Sequence, residues 1–379
     1  MGQGETGEWG DGGELVESLG LRPEYNIGSR NITLCLWASH SILDCISKME
    51  MRKMFIKPTV ILVGAGASAE FGLPTGDQIY SAAAAEDPRT RDNQSDNFAQ
   101  YFASFWDFVC FANDGEARNA FPSLIEHLSS SSSYSIDLYA YQNPSRSKIS
   151  KYFTAWMLIK SHFQMLQKNT GWRYGERCFP WRSPYITTGP RRPNWLGILA
   201  NQFLSGAKNP DDLEQNRLSF VTLNYDRAIE ESFGWFVRNN ERFRDTPDEL
   251  LPRVVHVHGK LDEISNDSLS PTFYRKQIEN IKFILDSLAE RPPAAIEAVE
   301  LLKECGSVYS VGFAFEENNC ALLQAGQWGS KASALNFSGE MNGFMAMKRM
   351  GLPESRIWQG TPDVPKYLGV AAREGFFSL

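Results

Sequence analysis

The sequence predicts an α/β protein, a Rossmann-like doubly wound parallel sheet with a mainly helical insertion. Three observations carry this. Apolar β-like runs start at Thr59, Ser219, Arg253 and Ser307, and each ends in a glycine or polar tip. The stretches between them carry apolar residues at helical spacing. Strands alternating with helices favour parallel pairing through right-handed crossovers.

Each element follows from local composition. Residues 1–53 read as a partly disordered N-terminal extension, because glycines and acids dominate through Gly20. Within it, Ile32 to Ile46 is too short and too polar to span a bilayer and reads as a packed helix. From Thr59 an apolar strand empties into Gly64-Ala65-Gly66, and a single helix is expected over Ala67 to Ala85, ending in an alanine run. The main domain is placed at 54–330 and the helical insertion at about 86–217. There, Phe98, Tyr101, Phe102, Phe105, Trp106, Phe108 and Val109 recur at near-helical spacing, as do residues from Tyr152 to Leu166. The sheet resumes at Ser219–Leu223, Arg253–Val257 and Ser307–Gly312, with helical crossovers at Asp226–Arg238 and Tyr274–Leu288. Residues 331–379 are expected to pack on the core or at an oligomer interface, with one short strand at Arg356–Gln359.

In an open parallel sheet, ligands bind beyond the carboxyl ends of the strands, so Gly64, Asn224, Asp226 and His258 are expected to converge there. Gly64, Gly66 and Ala69 satisfy the loose G-x-G-x-x-G/A pattern. On that reading the turn's free N–H groups and the following helix meet a pyrophosphate. A dehydrogenase would also need an acid ending a second strand about twenty residues on. Glu86 and Asp87 have the spacing but follow an alanine-rich helix. The P-loop pattern G-x-x-x-x-G-K-[ST] is absent.

Gly64-Ala65-Gly66-Ala67-Ser68, the T-x-N-Y-D run at Thr222, Asn224, Tyr225 and Asp226, and His258-Gly259 resemble the three core motifs of the sirtuin superfamily, in the family's order. The resemblance extends over roughly residues 54–324 without the insertion. It is nearest the prokaryotic sirtuin-like domains that hydrolyse NAD⁺ in anti-phage defence, some encoded beside a HerA-type ATPase. It implies cofactor contacts at Gly64, Ala65, Gly66, Ser68, Pro74, Thr75 and Thr222, and adenosine contacts at Gly312, Phe313 and Asn318, with Asn319 beside them. It also implies catalytic roles for Asn224, Asp226 and His258. Protein-deacylating sirtuins carry two Cys-x-x-Cys pairs and an aspartate, phenylalanine and arginine after the first motif's proline. The six cysteines here form no such pair, and Thr75, Gly76 and Asp77 follow Pro74. No zinc is therefore expected.

The chemistry agrees with NAD⁺ as substrate. Nicotinamide leaves without protonation, so the site needs shaped electrostatics and a placed nucleophile. Asn224 is the candidate to hold ribose or water, and His258 the candidate general base. Asp226 either stabilises positive charge or caps the next helix. On a strand His256 and His258 share one face, so buried structural histidines and an H-x-H metal pair are the alternatives. The expected activity is regulated NAD⁺ hydrolysis to nicotinamide and ADP-ribose. Alternatives are NAD-dependent ADP-ribosyl transfer, deacylation, or a non-catalytic NAD or ADP-ribose sensor.

Composition sets the remaining expectations. A net charge of −7 over 379 residues disfavours general nucleic-acid or anionic-membrane binding, although Arg182, Arg191 and Arg192 form a local basic group. Irregular cysteine spacing predicts reduced thiols and a cytoplasmic protein. A homo-oligomer and a separately encoded HerA-like ATPase are the expected partners.

Overall fold

The computed structural model describes residues 55–85, 105–130, 135–170, 194–263, 270–335 and 341–359, with 364 and 366–368. The extension over 1–53, the Arg182, Arg191 and Arg192 group, and the aromatics from Phe98 to Phe102 lie outside these residues.

The first strand, β1 (Thr59–Val63), is followed by α1 (Ala65–Ala69) and α2 (Gly76–Ala85). Five helices come next: α3 (Phe105–Ala112), α4 (Gly115–Ser130), α5 (Ile136–Gln142), α6 (Ser147–Thr170) and α7 (Trp195–Leu204). Then come β2 (Leu218–Thr222), α8 (Ala228–Arg238), β3 (Arg253–His256), α9 (Pro271–Asn280), α10 (Ile284–Ala289) and α11 (Pro293–Glu304). The chain continues through β4 (Ser307–Val311), α12 (Glu317–Leu322), β5 (Ala332–Leu335), α13 (Met341–Arg349) and β6 (Ile357–Trp358).

The six strands form one parallel sheet in the order β3-β2-β1-β4-β5-β6. This is the doubly wound order, and the direction of winding reverses between β1 and β4. The central strands TVILV and SVYSV are buried at every position because helices cover both faces. Alternate residues divide between two cores. Ile61, Val63, Phe220 and Val311 face one; Val60, Leu62, Val221 and Val308 face the other. The insertion helices pack in the first core, where Phe105 meets Phe153 edge-on at 4.8 Å and Trp156 at 5.6 Å. Of the aromatics in this segment, Phe105, Phe108, Tyr152, Phe153 and Trp156 are therefore core.

Three elements differ from expectation. The helix foreseen over Ala67–Ala85 is two helices. Gly72 adopts φ +91°, and Pro74 has no N–H to continue the ladder, so the chain turns and restarts at Gly76. The foreseen Tyr274–Leu288 helix is also split, because the Lys282 N–H leaves the helix to donate to the His258 carbonyl at 2.9 Å. Beyond residue 330, β5 is an unforeseen addition to the sheet, while β6 forms within the short strand expected at Arg356–Gln359. Ala-Ser-Ala-Leu carries little strand signal, and pairing with β4 supplies what propensity does not.

Candidate functional site

The tips of β1 and β4 meet at the switch point. Gly64 and Gly66 donate N–H bonds to the carbonyls of Val311 (3.0 Å) and Gly312 (3.1 Å). Gly312 has φ +64°, and a Cβ there would stand 2.0 Å from the Ala67 nitrogen; one on Gly64 would stand 2.4 Å from the Gly312 oxygen. These glycines let two backbones touch. Their N–H groups are thus engaged within the protein, which corrects the expectation that both are free to meet a pyrophosphate. The Trp195 indole N–H of α7 donates to the Ala67 carbonyl at 3.2 Å, so the insertion braces the turn.

The β2 tip packs into the same place. Asn224 Nδ2 donates to the Gly64 carbonyl at 3.1 Å and to Ser68 Oγ at 2.7 Å, and Ser68 Oγ donates to Asp226 Oδ2 at 2.9 Å. Thr222 Oγ1 accepts the Asn224 N–H at 3.1 Å. Asp226 Oδ1 accepts the Ala228 N–H at 3.0 Å, which starts α8. Burial raises the Asp226 carboxyl, while these donors and His256 oppose the rise. With both oxygens engaged, Asp226 anchors the tip to Ser68 and to the first turn of α8.

The two histidines do not share a face. β3 ends at His256, and His258 lies in the turn beyond it. His256 lies against the Asn224 carbonyl and Glu230 of α8. His258 instead reaches Ser287 Oγ of α10 through Nδ1 and Asn319 Oδ1 of α12 through Nε2, both at 3.3 Å. An amide carbonyl only accepts, so Nε2 carries the proton, and bare Nδ1 accepts from the Ser287 hydroxyl. Burial lowers His258 to about 4, although the Asn319 bond opposes this. It is therefore neutral at pH 7. The Tyr225 ring lies 6.4 Å away, centroid to centroid. Gly259, at φ +81°, admits the Asn280 carbonyl, which would stand 1.9 Å from any Cβ.

Around this centre the other expected residues divide. Ala65 is half-buried in the turn. Pro74 and Thr75 are half-buried just before α2, and the Thr75 N–H donates to Gln78 Oε1 at 2.9 Å. Phe313 is buried and stacks edge-on with Phe315 at 4.8 Å, so its ring belongs to the core. Asn318 donates to Glu316 Oε1 at 2.9 Å. Its neighbour Asn319 is the one that reaches His258. Asn319 shared with Asn318 an expected adenosine contact and not a contact to the histidine; Ser287 and Glu230 carried no signal in the sequence. Asp137 lies at the start of α5, where burial with Asp286 and Glu316 raises its carboxyl to about 7 against the pull of Lys151.

Behind Asp226 a cavity of about 10 Å³, lined by Leu73, His162, Arg227, Glu231, Leu261 and neighbours, has room for one water. A larger cleft of about 940 Å³ lies at the amino ends of the strands, beside Thr59, Leu218 and Arg253. It is remote from the histidines, and in sheets of this winding ligands occupy the opposite, carboxyl edge. Among the described residues, no cluster of three or more His, Cys, Asp or Glu could hold a metal ion, and no helix is long and apolar enough to cross a membrane.

No family model matches this chain, and no curated protein matches it. Among solved structures, it is similar to Sir2Tm bound to a propionylated peptide, at 14% identity and TM-score 0.37. A Sir2–p53 peptide–NAD⁺ structure is similar at 16% identity and TM-score 0.34. Each comparison covers 84% of this chain and 94% of the other. At these values the similarity carries no argument about activity.

Proposed function

We propose that the protein is an NAD⁺ glycohydrolase, splitting the nicotinamide–ribose bond to give nicotinamide and ADP-ribose. The observation that supports this best is the meeting of Asn224, Ser68 and Gly64 at the switch point, with a neutral, buried histidine at the tip of the next strand. The cationic nicotinamide departs without an acid. Asn224 orients the ribose or the attacking water, and the neutral imidazole of His258 takes the proton released as the new C–O bond forms. Asn319 accepts the Nε2 proton in the present state; when a ribose hydroxyl or water replaces it, the ring proton moves to Nδ1, where Ser287 Oγ accepts it, and Nε2 is left bare to act as the base.

The engaged ring of His258 also favours a second reading, in which the pocket senses NAD⁺ or ADP-ribose without turnover. Regulation by a HerA-like ATPase and a part in anti-phage defence belong to the proposal as its means of restraint. The test measures free nicotinamide from NAD⁺ with and without that ATPase, for the parent and His258→Ala. Release by the parent and at least a hundredfold loss in the variant are expected, about the scale of removing a general base. Binding without release under every condition favours the sensor. Label retained on an acceptor protein favours transfer.

A further inference from the structure

His256 takes no part in the chemistry above, yet its surroundings are as specific as those of His258. It is 7% exposed. Nδ1 lies 2.9 Å from the Asn224 carbonyl oxygen, and Nε2 lies 3.0 Å from Glu230 Oε1. A peptide carbonyl and a carboxylate both accept and neither donates, so the ring satisfies both only with N–H at each nitrogen. The contrast with His258 is chemical: the Ser287 hydroxyl can donate, and there one ring proton suffices.

Of the charged groups near His256, the Glu230 and Asp226 carboxyls suit a cation, and the Lys260 ammonium opposes one. Glu230 comes from α8, and Lys260, in the segment after β3, also reaches Glu230 Oε1 at 3.3 Å. Asp226 faces it from the β2 tip. Thr222, in register with it on β2, is uncharged. Glu297 of α11 is occupied with Arg253 at the other end of β3. Burial raises the Glu230 carboxyl, but the hydrogen bond and charge of His256, with Lys260, hold it down to about 2.

We propose that His256 is a positioning residue, held as an imidazolium between Glu230 and the Asn224 carbonyl, so that the Asn224 amide stays aimed at Gly64 and Ser68. Thr222 fixes the Asn224 N–H and His256 fixes its C=O, leaving the residue held at both peptide groups. The kinetic consequence rests on the NAD⁺ hydrolase reading; the protonation of the ring does not.

The experiment labels the histidines of the full chain with ¹⁵N and reads the ring nitrogens at pH 7.5 in the parent, Glu230→Gln and His256→Asn. Two protonated nitrogens are expected for parental His256, against one protonated and one bare for His258. A glutamine can offer its amide N–H to a bare nitrogen, so Glu230→Gln should remove one His256 ring proton. In NAD⁺ turnover the same variant should lower kcat about tenfold or more with KM within about twofold, as expected for misplacing a reacting group. His256→Asn keeps a donor near the Nδ1 position and should retain more kcat than His256→Ala. A bare nitrogen on parental His256, or a Glu230→Gln protein with unchanged ring signals and kcat, overturns the proposal. If the parent releases no nicotinamide while the two-proton signature appears and is lost in Glu230→Gln, the positioning contact stands and the hydrolase reading falls. Turnover by a parent whose His256 has a bare nitrogen decides the opposite way.

Discussion

The protonation of His258 is set by its two neighbours and by burial, and this makes its contribution testable. Lowered to about 4, the ring remains a neutral proton acceptor well below the pH at which an exposed histidine charges. Nicotinamide release is therefore expected to hold from pH 8 down to about 5 and to fall below that; an acid limb near 6.5 would show that the ring is solvated. Glu231 shifts the other way, raised to about 8 by burial and by Glu230, Glu263 and Asp226, against the pull of Arg227. A carboxyl whose folded pKa is raised adds stability below its unfolded value and loses it as pH climbs through the folded one. Glu231→Gln should therefore lose less Tm than the parent between pH 5 and 9 in a thermal scan. Its side chain retains about a fifth of its exposure, which screens the effect. Ser68, Asn224 and His258 were legible because each sits in a short motif at a strand tip. Ser287 and Glu230 were not, since what selects them is the approach of α10 and α8 to those tips, which no local pattern encodes; Asn319 was named only for an adenosine contact, and its reach to His258 depends on where α12 packs.

The elements were legible where burial is two-sided and obscured where a single residue redirects the chain. TVILV and SVYSV read as central strands because β-branched and aromatic residues dominate them and neither carries a charge. The break between α1 and α2 was encoded by Gly72 and Pro74 but masked by the alanines that follow. The split between α9 and α10 comes from the carbonyl of His258, distant in sequence, and had no local sign. The contact between the β1 and β4 tips makes the sharpest prediction at this scale. Gly312→Ala would place a methyl group 2.0 Å from the Ala67 nitrogen in a left-handed conformation. A loss of at least about 2 kcal/mol is expected by denaturant titration, within the range for a forced backbone shift at a special φ. An unchanged midpoint would mean that the two tips are not in contact in solution.

For the whole sheet, the order β3-β2-β1-β4-β5-β6 follows from a central first strand and right-handed crossovers, and the sequence pattern reached every strand but β5. β5 was missed because Ala-Ser-Ala-Leu offers no β-branched or aromatic residue, and β6 is only two residues long. Native-state hydrogen exchange should follow this gradient. The amides of β1 and β4, flanked by strands on both sides, are expected to exchange slowest and those of β6 fastest; equal protection across the sheet would contradict this strand order. The central claim is that the tips of β1, β2 and β3 form one site that cleaves the glycosidic bond of NAD⁺. Its most direct test is the product balance of the purified protein, activated by its partner if required. The account predicts equal amounts of free nicotinamide and free ADP-ribose from the parent, and neither from a folded His258→Ala protein. NAD⁺ bound but unbroken, or nicotinamide released at the parental rate without His258, would contradict it.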